Sequence, residues 1–302
     1  MTLGQEPSWI VLVGGHESDD GADLDFVKAA LPNVRPSPPG RPLNNVVSRA
    51  LDATDGVVAV LPMTFGRNPT MVADTAKTMQ WLSTGREGGR LTLCEPFGSA
   101  DHLVAWLRTA ATRTHARRPG AGIIVAAPRS NPFDDAELYR LAHLVRTHGA
   151  GNDVEVCCYE SDGDVVQSIQ RFRALGRGET EIVPAGFART SPVDLSASAS
   201  ATSGAEFYGP LMSEQAIVRI ITERVAEAEH NLGRGHNGIE DGLLADHGHG
   251  FAHSHAFEEG QAPHTHSHSG VPHTHGGHSE EHTHESHSDQ SDVRPEEFTH
   301  SH

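Results

Sequence analysis

The stretch VLVGGHES at residues 11–18 returns as IIVAAPRS at 123–130, VLPMTFGR at 60–67 returns as IVPAGFAR at 182–189, and PFGSADHLVAWL from Pro96 returns as PLMSEQAIVRII from Pro210. The second pair keeps the spacing P-x-x-F-x-R. All three recur in the same order at nearly the same separation, which is the pattern of a tandem duplication. Whatever fold the first copy takes, the second must repeat it, so the chain up to about residue 230 reads as two similar halves.

Each half alternates short apolar runs with helix-periodic segments. WIVLV at 9–13 and GVVAVL at 56–61 suit buried strands, as do residues 90–94, 154–159 and 181–184, and the pattern restarts at Gly122 with the stretch that matches the first strand and its loop. Helices are expected over 21–31, 43–53, 70–82, 100–111, 134–147, 165–175 and 213–230, the last with Ile217, Ile220, Ile221 and Val225 on one face and Arg219, Glu223 and Glu227 away from it. Residues 33–42 are proline-rich and read as loop or short edge strand. Such alternation predicts an α/β fold: two tandem half-domains, each a parallel sheet flanked by helices. The predicted boundaries are 1–118, 119–230 and a tail from 231 to 302. Residues 194–205, DLSASASATSGA, carry little apolar surface and are expected to form a mobile insertion or lid.

Charge separates the tail from the body. Residues 1–229 hold 21 Lys and Arg against 28 Asp and Glu, whereas residues 230–302 hold 2 against 12 and contain 17 of the 22 histidines. An acidic body argues against a nucleic-acid partner, for which a basic stripe is expected. Beyond residue 231 there is little to form a core, so the tail is expected to be disordered without metal. No run approaches the roughly 20 apolar residues of a spanning helix, and no signal segment is evident, so the chain reads as cytoplasmic with no membrane partner. Cys94, Cys157 and Cys158 are odd in number and lack CxxC spacing, which argues against an iron-sulfur cluster or a cysteine zinc site; each is expected to pack as a small hydrophobe.

The tail repeats the spacing H-x-H at His247 and His249, His253 and His255, His264, His266 and His268, His273 and His275, His282 and His284, and His300 and His302. Acidic residues lie between them. Neutral imidazoles on a flexible chain suit Ni, Co, Zn and Cu ions, and the interruptions are unlike the unbroken run of a purification tag. Metal binding by the tail is therefore expected.

In the body, the strand ending at Val13 breaks at Gly14 and Gly15 and delivers His16 and Glu17 to its carboxyl end, where open α/β sheets usually bind ligands. The glycine-histidine-serine loop at 11–18, the strand-proline loop at 60–69 and the closing GPLMSEQAIVRIITERVAEA at 209–228 together resemble the CbiX/SirB group of class II chelatases, which insert cobalt or iron into sirohydrochlorin. The resemblance spans both halves, residues 8–230. It implies that His16 binds the incoming metal and helps remove pyrrole protons, with Glu17 assisting. The family's second histidine falls in the loop at 63–70, which here has none; Arg67 and Asn68 stand near its place, and Pro128 stands opposite His16 in the second half.

Arg67 and Arg129, in loops at the carboxyl ends of strands, are expected with Asn68 to meet the carboxylates of a tetrapyrrole. The implied activity is a sirohydrochlorin chelatase of the cobalt or iron type, with divalent Co, Fe or Ni and a tetrapyrrole as substrates. A duplicated chain already holds both sides of such a cleft, which points to a monomer. The competing expectation is a chelatase-like protein without catalysis that carries or stores Ni, Co or Zn.

Overall fold

The computed structural model describes residues 8–84, 88–196 and 200–245. In the first half, β1 (Trp9–Val13) lies between β2 (Val34–Ser37) and β3 (Val58–Pro62), and β4 (Leu91–Leu93) lies outside β3. In the second, β5 (Gly122–Pro128) lies between β6 (Val154–Tyr159) and β7 (Thr180–Pro184), with β8 (Ala205–Phe207) at the edge. Strand orders 2-1-3-4 and 6-5-7-8 are one topology used twice, and every strand pair is parallel. Parallel neighbours need crossovers, and helices supply most of them.

These helices are α1 (Val27–Ala30), α2 (Arg41–Ala53), α3 (Pro69–Ser83), α4 (Ala100–Arg117), α5 (Pro132–His148), α6 (Asp162–Ala174), α7 (Glu214–Leu232) and α8 (Ile239–Leu243). Because side chains alternate along a strand, β1 feeds two cores: Ile10 and Leu12 enter one and Val11 and Val13 the other. Burial on both faces is why its sequence is apolar throughout.

The long helices are exchanged between the halves. α4, which follows the first sheet in sequence, packs against α5 and β7, while α7, which follows the second sheet, packs against β3 and β4. Leu103, Leu107 and Ala110 of α4 therefore share one continuous core with Ile217, Ile221 and Val225 of α7. A cut between residues 118 and 119 follows the duplication, but it does not follow the packing.

Three expectations are corrected. The helix expected over 21–31 is instead a 3-10 segment, His16–Leu24, followed by the single turn of α1. Asp19 and Asp20 sit in the left-handed region at φ 48° and 50°, and Gly21 at φ 99°. A run of three left-handed residues breaks α-helical hydrogen bonding, while Leu24 and Val27 still reach the core.

The segment at 194–205 is not a free lid in its described residues. Leu195 packs on the core that α6 forms on the second sheet, Thr202 is buried with its hydroxyl donating to Leu195 O at 3.0 Å, and Arg118 and Arg173 donate to the carbonyls of Gly204 and Ser203. These two carbonyls are satisfied by arginines distant in sequence, just before β8.

The tail begins later than residue 231. Ile239 is buried and Leu243 packs beside it in the core that α2 and α3 form on the first sheet. Two apolar residues one helical turn apart suffice to seat a short helix on α3.

Candidate functional site

Beyond β1 the backbone turns so tightly that a side chain at Gly14 would collide with the main chain of Gly21. The turn sets His16 at the carboxyl end of the sheet, as expected, but at the start of a 3-10 segment and against the second half. A side chain at Gly186 would strike the carbonyl of Glu17, and this close approach lets Phe187 N donate to Glu17 O at 2.8 Å across the boundary.

His16 has a side chain only 11% exposed. Its Nδ1 lies 3.2 Å from Asn68 Nδ2 of the first half and 3.2 Å from Ser130 Oγ of the second, with Asp134 Oδ2 at 3.9 Å. Its Nε2 is buried and has no hydrogen-bond partner. Burial, reinforced by the nearby Arg67 guanidinium, lowers the pKa of His16 to about 4, so the ring is neutral near pH 7.

The partners of His16 are themselves fixed. Asn68 caps α3, with Oδ1 accepting from Met71 N at 3.0 Å, which turns its amide donor toward the imidazole. Ser130 donates to Asp134 Oδ2 at 2.9 Å, and Asn131 donates to the same oxygen at 2.8 Å while capping α5. Asp134 is buried, which raises its pKa.

Glu17, expected to assist His16, faces inward. Its carboxylate accepts from Thr64 Oγ1 and, at 3.1 Å, from Phe65 N, and complete burial raises its pKa. It braces the β3 loop against the turn that carries His16. Arg67, expected to meet substrate, is 1% exposed; Nη1 donates to Ala185 O at 3.2 Å across the halves, whereas Nε and Nη2 have no partner. The arginine turned inward because its loop lies under the second half, so its charge acts on His16, Glu17 and Asp134 through space. Asn68, also expected at substrate, is spent on His16 and its cap.

Arg129 does line a cleft with His16. This cleft is about 480 Å³, and beside the buried Glu17 its charged lining is Asp19, Asp23, Glu160 and Arg129, the last paired with Glu160 at 3.3 Å. Asp23 has a raised pKa through burial and the neighbouring Asp19. The duplicated loops thus bring His16, Glu17, Arg67 and Asn68 into one cluster and put Arg129 across the cleft.

Sequence reasoning missed Ser130 and Asp134. Ser130 stood in the matched IIVAAPRS stretch, and N-P-F-D after it is a helix-start signal that could have placed Asp134 on the first turn of α5.

Among the described residues, no group of three or more His, Cys, Asp or Glu side chains is placed to hold a metal ion, and no helix is long and apolar enough to cross a membrane. His16 therefore belongs to no such group. The tail histidines His247, His249, His253, His255, His264, His266, His268, His273, His275, His282 and His284 lie outside the described residues. Cys94 and Cys157 pack in apolar cores, and burial pushes the Cys94 thiol up to about 12.

No protein-family model matches the sequence, and no curated protein matches it. Among solved structures, the chain is similar to SirB from Bacillus subtilis with Fe3+, at a TM-score of 0.46 and 13% identity, over 76% of this chain and 97% of that one.

Proposed function

We propose that the protein takes a divalent metal ion at His16 and inserts it into a sirohydrochlorin-type tetrapyrrole, with cobalt, iron or nickel and the tetrapyrrole as substrates. The observation that carries this reading is the imidazole itself: its Nδ1 is approached from both halves, it lines the cleft, and its Nε2 has no protein partner. A neutral ring needs no proton displaced before it binds metal. One protein ligand holds an ion loosely enough to pass it on. The depressed basicity of His16 makes it a ligand first and a weak proton acceptor, so the removal of pyrrole protons implied by the resemblance is not assigned to it. The histidine-rich tail would raise the local concentration of metal near the cleft.

The test is metal insertion into sirohydrochlorin followed by absorbance with cobalt, iron and nickel, comparing wild type with His16→Gln. Insertion by wild type and its loss in the variant are expected; absence of insertion with all three metals would sink the enzyme reading.

A second reading, a metal carrier or store without catalysis, is favoured by one observation. Beside the buried Glu17, the charged lining of the cleft holds Asp19, Asp23 and Glu160 against Arg129 alone, which suits a cation better than a polycarboxylate. Wild type that loads metal at His16 yet inserts none would support it.

A further inference from the structure

The Nδ1 atom of His16 is contested. Asn68 presents a fixed donor to it, since its Oδ1 is occupied by Met71 N. Ser130 presents the opposite: its single hydroxyl proton goes to Asp134 Oδ2 at 2.9 Å, so toward His16 it offers only a lone pair. The two partners demand different tautomers. If Nδ1 accepts from Asn68, the ring proton sits on Nε2, where it is buried and meets no acceptor. If the proton sits on Nδ1, it continues a chain from imidazole to hydroxyl to carboxylate, and Nε2 carries a bare lone pair. The second arrangement leaves no buried donor orphaned on the ring and ends on a charged acceptor, so it is the stronger.

We infer that Ser130 and Asp134, both from the second half, are positioning residues that hold His16 as the Nδ1–H tautomer and so leave the lone pair of the buried Nε2 bare for a divalent-metal ion, with Asn68 as the competing donor. This rests on the reading of His16 as the metal-accepting group. It also gives the second half a task at the site: that half has Pro128 where the first has His16, yet it supplies the groups that set the ring's state. A carboxylate acting on a metal-binding imidazole through a hydrogen bond fixes the tautomer and strengthens the ligand, and losing such a partner weakens metal affinity about 10–100-fold.

The test uses the full chain labelled with 15N, with long-range imidazole 1H–15N spectra in which the His16 signals are those missing from His16→Gln. In metal-free wild type the pattern expected is protonated Nδ1 and bare Nε2. Ser130→Ala and Asp134→Asn should move the ring toward protonated Nε2, Ser130→Thr should restore the wild-type pattern, and Asn68→Ser, which retains a helix-capping hydroxyl, should keep Nδ1 protonated.

Zinc is then added at free concentrations set by a nitrilotriacetate buffer, so that uptake by the tail does not distort the reading at His16. Ser130→Ala and Asp134→Asn should weaken zinc binding at His16 about 10–100-fold, while Asn68→Ser should not weaken it. Protonated Nε2 in wild type, or a tautomer indifferent to Ser130 and Asp134, would overturn the inference. A tautomer that responds as expected in a ring that zinc never perturbs would leave the hydrogen-bond chain standing and remove the metal role instead.

Discussion

Phe65 and Phe187 occupy equivalent positions in the two copies of P-x-x-F-x-R, and their rings stack across the boundary between the halves, with centroids 5.2 Å apart and 20° between planes. Phe97 meets both edge-on, at 5.4 Å and 5.0 Å. Phe187→Ala should cost about 3–5 kcal/mol, as expected for removing a buried aromatic ring. Because this cluster joins both sheets, urea unfolding of wild type should show one transition by both fluorescence and circular dichroism. Two separated transitions would contradict a shared core.

Glu17 should be a brace and not a catalytic group. Glu17→Ala strands the Thr64 hydroxyl and the Phe65 N–H in a dry site and is expected to destabilise by about 3 kcal/mol, with Glu17→Gln costing less because one acceptor remains. Denaturant titration measures both. Metal insertion per folded molecule should survive in Glu17→Gln, unlike in His16→Gln.

The low pKa of His16 makes stability depend on pH with a definite sign. The unfolded chain takes up this proton below about 6.5, while the folded chain resists until about 4. The contribution is therefore fully present above pH 6.5 and is lost as pH falls toward 4, with a ceiling of about 3 kcal/mol. Subtracting the stability curve of His16→Gln from that of wild type isolates it, and parallel curves would refute it. Arg67→Met, by removing the neighbouring cation, should shift the His16 titration upward in an NMR pH series.

Two truncations separate the body from the histidine-rich tail. Ending the chain after Ala245 should leave thermal stability within about 1 °C, since a change far below 1 kcal/mol is expected, and should remove most bound nickel or zinc in equilibrium dialysis. Ending it after Asn231 also deletes Ile239 and Leu243 from the core against α3 and should cost about 2–4 kcal/mol. Equal metal uptake by full chain and the Ala245 truncation would refute metal binding by the tail.

The duplication was the most legible feature of the sequence, because apolar strands buried on both faces and the P-x-x-F-x-R spacing survive even where the halves have diverged. It announced the parallel sheets and put His16, Arg67 and Arg129 at strand ends. What could not be read were properties created by the docking of one half on the other. Arg67 looks like a solvent-facing loop arginine until the carbonyl of Ala185 covers it. Asp134 looks like a helix-start acid until Ser130 links it to His16. β8 escaped notice because AEF at 205–207 is too short and too exposed to show an alternation.

The exchange of α4 and α7 also bears on how the chain is made. The first sheet is complete once Leu93 has been synthesised, but the helix that covers one of its faces starts at Glu214. An emerging chain grows at roughly 5–20 residues per second, so that apolar face waits for several seconds on the ribosome before its cover arrives. During that interval the first half has no finished surface, and holding it in solution falls to whatever binds exposed apolar strands in the cell.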